Sequence, residues 1–315
     1  MARWPVLRGA PQENGAGLAM TIESDIAAEN AERRSAGDGP GLGVRVARLG
    51  AGRGGELAIS AGVVVLVLVL WWAIRYFDLL GFVGITTNPD LFVPTIAATW
   101  EEFLELGFGE GYRGRSLWEH LGWSMLRMAI GVGSAIVLGI AVGIAIGVSR
   151  KVKAAVDPVI EFYRPLPPLG YYTLLIVWFG IDETPKILLL FLAAFAPVVV
   201  GTEAGIRNVR RSWVDQALTL GASRMYIFRH VMMPAALPQI FAAIRLAVGF
   251  AYTTLVAAEL VAATKGIGWM VLDASKFLRI DVIYVGIIVM GITALLLDRV
   301  IRTIENRCVP WRGYA

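Results

Sequence analysis

The sequence predicts an all-α integral membrane protein with six transmembrane helices. Of its 315 residues, 57% are hydrophobic and 17% are charged, and the mean hydropathy is +0.64, more apolar than a globular core requires. The apolar residues are gathered into runs, most of them long enough to cross a bilayer. Basic residues are concentrated in alternate connections between these runs, as in proteins that cross a membrane several times.

Six apolar runs are assigned as spans in chain order. The predicted spans are 57–77, 121–148, 169–180, 187–200, 240–263 and 282–297. Residues 1–55 are rich in Gly, Ala, Arg and Glu and have no sustained apolar periodicity, which predicts a disordered tail. Residues 56–315 then form one six-helix membrane domain.

The first three spans carry distinct local signals. Aromatic residues at the end of the first span, through Phe77, are typical of a lipid–water interface. The polar segment 78–117 follows, with a short amphipathic helix predicted over 94–106. The prolines at 165, 167 and 168 break the helix before the third span, which therefore starts near Leu169. This broken stretch either lines a water-filled cavity or is a solvated loop.

Small residues recur every four positions along the second span. They are Gly131, Ala135, Gly139, Gly143 and Gly147. Such a stripe lets a second helix backbone approach closely, and we favour this packing role over a role in a pore.

The last three spans contain a proline and two charges. Pro197 is expected to kink the fourth span. Arg245, near the start of the fifth span, is expected to snorkel to the membrane surface. Glu259, near the end of that span, is expected close to the outer interface, and a structural role is favoured over contact with a substrate.

Between the fourth and fifth spans lies a charged helical hairpin, 206–238, which we call the elbow. Ser212 is a candidate N-cap, with Asp215 at the third helical position in a variant of the capping box. Gly221 is predicted to end the first helix in a left-handed turn. A second helix is predicted over 223–232, and two prolines, Pro234 and Pro238, are expected to end it.

Charge predicts the topology. The tail, the connection at 150–153, the elbow and the C-terminal segment are basic, whereas 78–117 and the turn at 182–185 are acidic. The positive-inside rule places the elbow and both termini in the cytoplasm and 78–117 outside it.

Several function classes find little support. One cysteine, Cys308, and two distant histidines, His120 and His230, do not form a disulfide framework, a metal cluster or a triad. The sequence contains no GxxxxGK[ST] phosphate loop and no G-x-S-x-G motif. An ion-coupled secondary carrier is still a possible function. Such a carrier would be expected to have several carboxylates within its spans, and Glu259 is the one candidate.

The elbow also resembles a known motif. Asp215-Gln216-Ala217, Gly221 and the run ending at Pro234 match the spacing Glu-Ala-Ala-x3-Gly-x9-Ile-x-Leu-Pro of ABC importer permeases, with Asp, Gln, Val and Met as departures. In that family the motif forms the coupling helix, which docks on the cytoplasmic ATPase. The alternative is an amphipathic interfacial hairpin without a partner.

The resemblance extends over residues 92–310, where runs such as RPLPPLGYYTLLIVWFGIDETPKI resemble permeases of the nitrate, sulfonate and taurine group, most closely taurine importer permeases. It implies a type I ABC importer transmembrane domain for taurine or a related sulfonate in the cytoplasmic (inner) membrane. Nitrate or another small organic anion is the alternative substrate. The implied partners are a second copy of the chain, two cytoplasmic ATPase subunits that bind ATP and Mg, an extracytoplasmic binding protein and the lipid bilayer. No cofactor in this chain and no nucleic acid are implied.

The resemblance and the position of polar groups in or beside spans give two sets of candidate site residues. The coupling candidates are Asp215, Gln216, Ala217, Leu218, Gly221 and Ala222. The candidates for the translocation pathway are Arg164, Tyr171, Tyr172, Thr173, Trp178, Thr253, Thr254 and Glu259. For Asp215 two roles stay open, a helix cap or an ion pair with the ATPase. For the aromatic candidates, packing is favoured over binding.

Overall fold

A computed structural model of the chain describes residues 53–77 and 92–311. The predicted tail therefore lies outside the described residues except for 53–55, as do residues 78–91 of the polar segment. The chain divides at Trp71 into two units, and the first helix, which crosses that boundary, is described by itself.

Every regular element in these two ranges is helical. The helices are α1 (Arg53–Tyr76), α2 (Ile96–Phe108), α3 (Leu117–Val148), α4 (Arg150–Tyr163), α5 (Pro168–Phe179), α6 (Glu183–Arg207), α7 (Arg211–Thr219), α8 (Arg224–Ile227), α9 (Met233–Ala262), α10 (Ile267–Lys276) and α11 (Ile280–Cys308). A π-helical turn, Phe228–Met232, joins α8 to α9.

The predicted spans are found in the predicted order. Four stretches are long and apolar enough to cross a membrane: Leu117–Val148, Glu183–Arg207, Arg224–Val261 and Ile280–Cys308. Two shorter apolar helices, Ile59–Ile74 and Pro168–Phe179, occupy the positions of the first and third spans. With 12 residues, α5 is about 18 Å long, whereas the hydrocarbon core of a bilayer is about 30 Å thick.

Helix α6 lies between α3 and α9, and small residues allow the close approach on both sides. A β-carbon added at Gly143 of α3 would lie 2.6 Å from the Cβ of Thr202 in α6. At the adjacent position of α6, a β-carbon at Gly201 would lie 2.1 Å from Ala243 Cβ of α9. The packing interpretation of the small-residue stripe is therefore confirmed, and α3, α6 and α9 share one apolar core.

The region around the third span contains one helix that the sequence analysis missed. Ser149 caps α4 by accepting a hydrogen bond from the Val152 N–H at 3.4 Å. Lys153 of α4 pairs with Asp157 at 2.6 Å and with Glu203 of α6 at 2.5 Å. The predicted start of the third span is confirmed, because α5 begins at Pro168, directly after the chain has been broken by prolines.

Helices α2, α10 and α11 form a second, smaller apolar cluster. Thr95 caps α2 by accepting from the Ala98 N–H at 3.1 Å, and the amphipathic helix predicted over 94–106 is thereby confirmed. Leu106 of α2 packs here with Met270 of α10 and Val282 of α11.

Candidate functional site

The elbow turns at Gly221. Its φ is 80°, in the left-handed region that an L side chain rarely adopts. The Gly221 N–H donates to the Leu218 carbonyl at 2.9 Å, and the Ala222 N–H donates to the Ala217 carbonyl at 3.0 Å. These two bonds form a Schellman motif, so the left-handed turn that the sequence predicts is confirmed.

The predicted start of the first elbow helix is wrong. Helix α7 begins at Arg211, one residue before Ser212, and Arg210 at the N-cap position supplies no side-chain hydrogen bond. Asp215 therefore lies in the body of the helix, where it does not cap the N-terminus. Its carboxylate is exposed and makes no ion pair within the described part of the chain. It is free to meet a partner.

The second elbow helix differs from the prediction at its end. Ser223 caps α8 by accepting from the Tyr226 N–H at 3.3 Å, but the helix does not stop at Pro234. The π turn at 228–232 leads directly into α9, so the missing N–H of Pro234 falls in the first turn of α9, where proline is tolerated. The elbow therefore continues into the fifth span without a break.

The elbow has an exposed side and a side that faces the membrane domain. Asp215, Gln216 and Gly221 are exposed, and α7 has no buried residue. Leu218, although 49% exposed, lines a largely apolar cavity of about 760 Å³ on the side of the elbow that faces the other helices. The other walls of this cavity come from the end of α3, the start of α4 and α8.

The pathway candidates divide into three groups. Arg164 and Tyr171 line one cavity of about 220 Å³, together with residues of α6 and Phe250 of α9. Three others are exposed at the surface of the single chain: Thr173, Trp178 and Thr253. The remaining three are buried between helices: Tyr172, Thr254 and Glu259. The Tyr172 hydroxyl donates to the Ala258 carbonyl at 3.1 Å, which ties α5 to α9.

Glu259 forms the centre of a buried polar cluster. Its side chain is 1% exposed. One carboxylate oxygen accepts from Ser124 Oγ at 2.6 Å and from Arg127 Nη1 at 2.7 Å, and the other accepts from the Gly268 N–H at 2.8 Å. These three donors satisfy the carboxylate inside the protein, which favours the structural role that the sequence analysis preferred.

The sequence analysis missed Arg127, which lies in the second span. Its guanidinium, 1% exposed, donates from Nε to Glu183 Oε2 at 2.5 Å and from Nη2 to Oε1 at 2.9 Å. Its Nη1 also donates to the Lys265 carbonyl at 2.9 Å. The available signal was the arginine itself, because a charge within an apolar span requires a buried partner or a water-filled cavity.

The same cluster caps helix α10. Gly266, at the N-cap with φ of 125°, has no side chain to offer. Instead the Gly266 N–H donates to His120 Nδ1 at 3.2 Å, and the Ile267 N–H donates to Ser124 Oγ at 3.0 Å. Together with Glu259, which accepts from the next N–H, side chains of α3 and α9 satisfy the free amides that begin α10.

Two further basic side chains, Arg245 and Lys265, have partners nearby. Arg245, which is predicted to reach the membrane surface, pairs with Glu305 of α11 and lies 3.6 Å from Asp298. The ammonium of Lys265 lies 3.0 Å from the centre of the Trp123 ring. Among the described residues, no group of three or more His, Cys, Asp or Glu residues is placed to hold a metal ion.

Apolar helices in the order of the predicted spans, with an exposed elbow before the fifth, define the membrane-spanning subunit of a transporter. Residues 135–309 match the family described as "Binding-protein-dependent transport system inner membrane component", and the chain belongs to this family. It is a permease, a transport subunit of an ABC importer that works in a complex with an ATPase and a binding protein.

Three similar proteins indicate to which group within this family the chain belongs. The chain is 40% identical over 258 residues to the taurine transport system permease protein TauC of Escherichia coli (strain K12), covering 82% of this chain and 91% of TauC. It is 33% identical to the putative aliphatic sulfonates transport permease protein SsuC of Bacillus subtilis (strain 168), covering 76% and 84%. It is 31% identical to the nitrate import permease protein NrtB of Synechocystis sp. (strain ATCC 27184 / PCC 6803 / Kazusa), covering 80% and 90%. The predicted membership of the nitrate, sulfonate and taurine group is confirmed.

A solved structure shows the same fold. A chain of the inward-facing MetNI methionine ABC transporter superposes with a TM-score of 0.51 at 18% identity, covering 62% of this chain and 94% of that chain. The predicted ABC importer transmembrane fold is therefore confirmed.

Proposed function

We propose that this chain is the permease through which an ABC importer carries taurine or a related sulfonate across the cytoplasmic membrane. The substrate follows from the 40% identity to TauC over 91% of its length, supported by the likeness to SsuC. The likeness to NrtB makes nitrate the second candidate.

The elbow is proposed as the surface that receives the ATPase. The observation that carries this proposal is the exposed Schellman turn at Gly221, with the unpaired carboxylate of Asp215 six residues before it. Gln216, Ala217, Leu218 and Ala222 complete the contact. Leu218, which is 49% exposed, also lines the cavity between the elbow, α3 and α4.

The complex is proposed to contain two copies of this chain, two ATPase subunits below them and a binding protein above. ATP and Mg are bound by the ATPase subunits, since the sequence has no phosphate loop of its own. Closure of the ATPase pair brings the two elbows together and opens the pathway outward. The distribution of basic residues supports cytoplasmic termini and a cytoplasmic elbow.

The pathway is proposed to run beside the short helix α5. This helix is too short to cross the bilayer alone, and non-helical backbone at membrane depth is tolerated where protein or water covers it. Arg164 and Tyr171 line a cavity at its start, and Thr173, Trp178 and Thr253 lie on surfaces that a second copy would enclose. Selective capture of the sulfonate belongs to the binding protein.

The test is to purify the permease with its ATPase in lipid discs and to measure ATP hydrolysis with and without taurine-loaded binding protein. Gly221→Val is expected to abolish stimulation, because a β-branched residue at φ of 80° strains the turn. Gly114→Val is the matched control, since Gly114 has φ of 74° and, like Gly221, open space around the missing β-carbon. It lies outside the elbow, so stimulation should be retained.

Substrates are compared in the same discs by loading the binding protein with taurine, an alkanesulfonate or nitrate. If nitrate stimulates ATP hydrolysis and the sulfonates do not, nitrate replaces the sulfonate as the proposed substrate. If no ATPase subunit co-purifies and uptake follows an ion gradient, the importer proposal fails and the secondary carrier takes its place.

A further inference from the structure

Arg127 joins two connections that are far apart in the sequence. Through Glu183 it holds the turn between α5 and α6, and through the Lys265 carbonyl it holds the loop between α9 and α10. Its third partner, Glu259, lies at the end of α9 and accepts from the backbone of α10. One side chain of α3 thus fixes the ends of three other helices.

The charges of this cluster balance. Arg127 and Lys186 are the cations, and Glu183 and Glu259 are the anions, with Lys186 Nζ 3.3 Å from Glu183 Oε1. Three of these four side chains are at most 4% exposed, and burying charges is expensive, since apolar residues of similar volume often stabilise a protein as well or better. The ion pairs instead fix the relative orientation of the paired groups, because a bidentate guanidinium holds its carboxylate in one orientation.

The cluster lies on the same helical path as the elbow. From Arg224 to Val261 the chain is helical through 38 residues, about 57 Å at 1.5 Å per residue. The elbow is at one end of this path and Glu259 is near the other. The elbow and the cluster are therefore connected by continuous helical backbone.

We propose that Arg127 is a positioning residue for transport. By clamping the α5–α6 turn to the α9–α10 loop, it makes the far ends of α5, α6, α9 and α10 move as one body when the elbow moves. The inference rests on the proposed function, because the elbow is taken as the point where the ATPase acts. Loss of the clamp uncouples ATP hydrolysis from uptake and leaves the ATPase contact intact.

Two variants test this proposal in reconstituted complexes. Arg127→Lys keeps the charge and loses the fork that contacts both connections. The double variant Arg127→Met, Glu259→Gln removes one cation and one anion, and Glu183 keeps Lys186 as its partner. Arg302→Lys is the control, because Arg302 pairs with Asp298 within one helix. Each complex is assayed for bound ATPase, basal ATP hydrolysis, stimulation by loaded binding protein and substrate taken up per ATP.

The expected result is that both variants retain bound ATPase and basal hydrolysis within about twofold, while uptake per ATP falls by at least about fivefold. Arg302→Lys should match the wild type. Unchanged uptake per ATP in the double variant would overturn the proposal. So would a fall in uptake that is fully explained by a smaller amount of folded complex. In either case the cluster would only stabilise the protein. Failure of the wild-type chain to bind an ATPase would instead overturn the proposed function.

Discussion

The elbow and the buried cluster treat charge in opposite ways. Asp215 of the elbow is exposed, and its carboxylate forms no ion pair with another described residue. Arg127 and Glu259 are each 1% exposed and are satisfied by partners at 2.5–2.9 Å. Water stabilises an unpaired charge at little cost, whereas a buried charge must bring its partners with it.

The comparison teaches where a partner surface is to be found in this fold. The elbow leaves hydrogen-bonding groups and a carboxylate unused by the chain itself, which is what a surface that meets another protein requires. In the cluster, every nitrogen of the Arg127 guanidinium and both carboxylate oxygens of Glu259 have partners within the chain, so its role is internal. Four changes test how far this contrast holds.

The largest effect is expected from Arg127→Met alone. The change leaves Glu259 buried with a lost charge partner, and breaking a buried ion pair in this way destabilises proteins by about 3–5 kcal/mol. Adding Glu259→Gln should restore most of the stability. Thermal unfolding of the purified permease in detergent measures both, and equal unfolding temperatures for the single and double variants would contradict the account.

A smaller loss of stability is expected from Gly143→Ala. The added β-carbon would lie 2.7 Å from the Val199 carbonyl oxygen and 2.6 Å from Thr202 Cβ, which forces α3 away from α6 at a cost of about 1–3 kcal/mol. Gly133→Ala on the same helix is the control, because nothing lies within 4 Å of its β-carbon position. Thermal unfolding should separate the two, and equal shifts would show that the glycine stripe is not what brings the helices together.

Glu102 of α2 is intermediate between the exposed Asp215 and the buried pair of Arg127 and Glu259. It is 13% exposed and 2.8 Å from Arg279, and burial, followed by its contact with Asp281, raises the pKa of its carboxyl from an ordinary 4.5 to about 7. The folded state therefore binds more protons than the unfolded state between these values, so stability should fall as pH rises from about 4.5 to 7 and then level off.

The contribution of Glu102 to this change is on the order of 1–3 kcal/mol. Glu102→Gln, which keeps the neutral form at every pH, should remove it. Unfolding temperatures measured from pH 5 to 8 provide the test, and an unchanged pH profile in the variant would assign the dependence to another group.

The smallest effect on stability is expected from Asp215→Asn. The change alters one exposed group and should shift the free energy of unfolding by less than about 0.5 kcal/mol. If the carboxylate pairs with a cation of the ATPase, the affinity between the subunits should nevertheless fall by about tenfold, equivalent to ~1.4 kcal/mol.

The affinity is measured by titrating labelled ATPase onto the permease in lipid discs. Glu101→Gln, an exposed acid of α2, is the control and should leave the affinity unchanged. Equal affinities for Asp215→Asn and the wild type would leave the elbow without an ionic contact at this position.

Features that depend on one residue and its neighbours were predictable. Gly221 was expected to take a left-handed conformation and does so, because only glycine adopts it without strain. The start of α5 followed from prolines, which lack an N–H and cannot continue a helix. The same local reasoning failed at Pro234, where a π turn lets the helix continue into the span.

The sequence by itself determined the spans, the glycine turn and the family, since hydropathy, backbone restriction and motif spacing are all local properties. Only the tertiary structure decided the roles of Arg127, Glu183 and Glu259, whose contacts bridge 56 and 132 positions of the chain. Each of these residues alone is a costly charge in or at the end of a span. Helix packing brings them within hydrogen-bonding distance, and that proximity turns three isolated charges into one clamp.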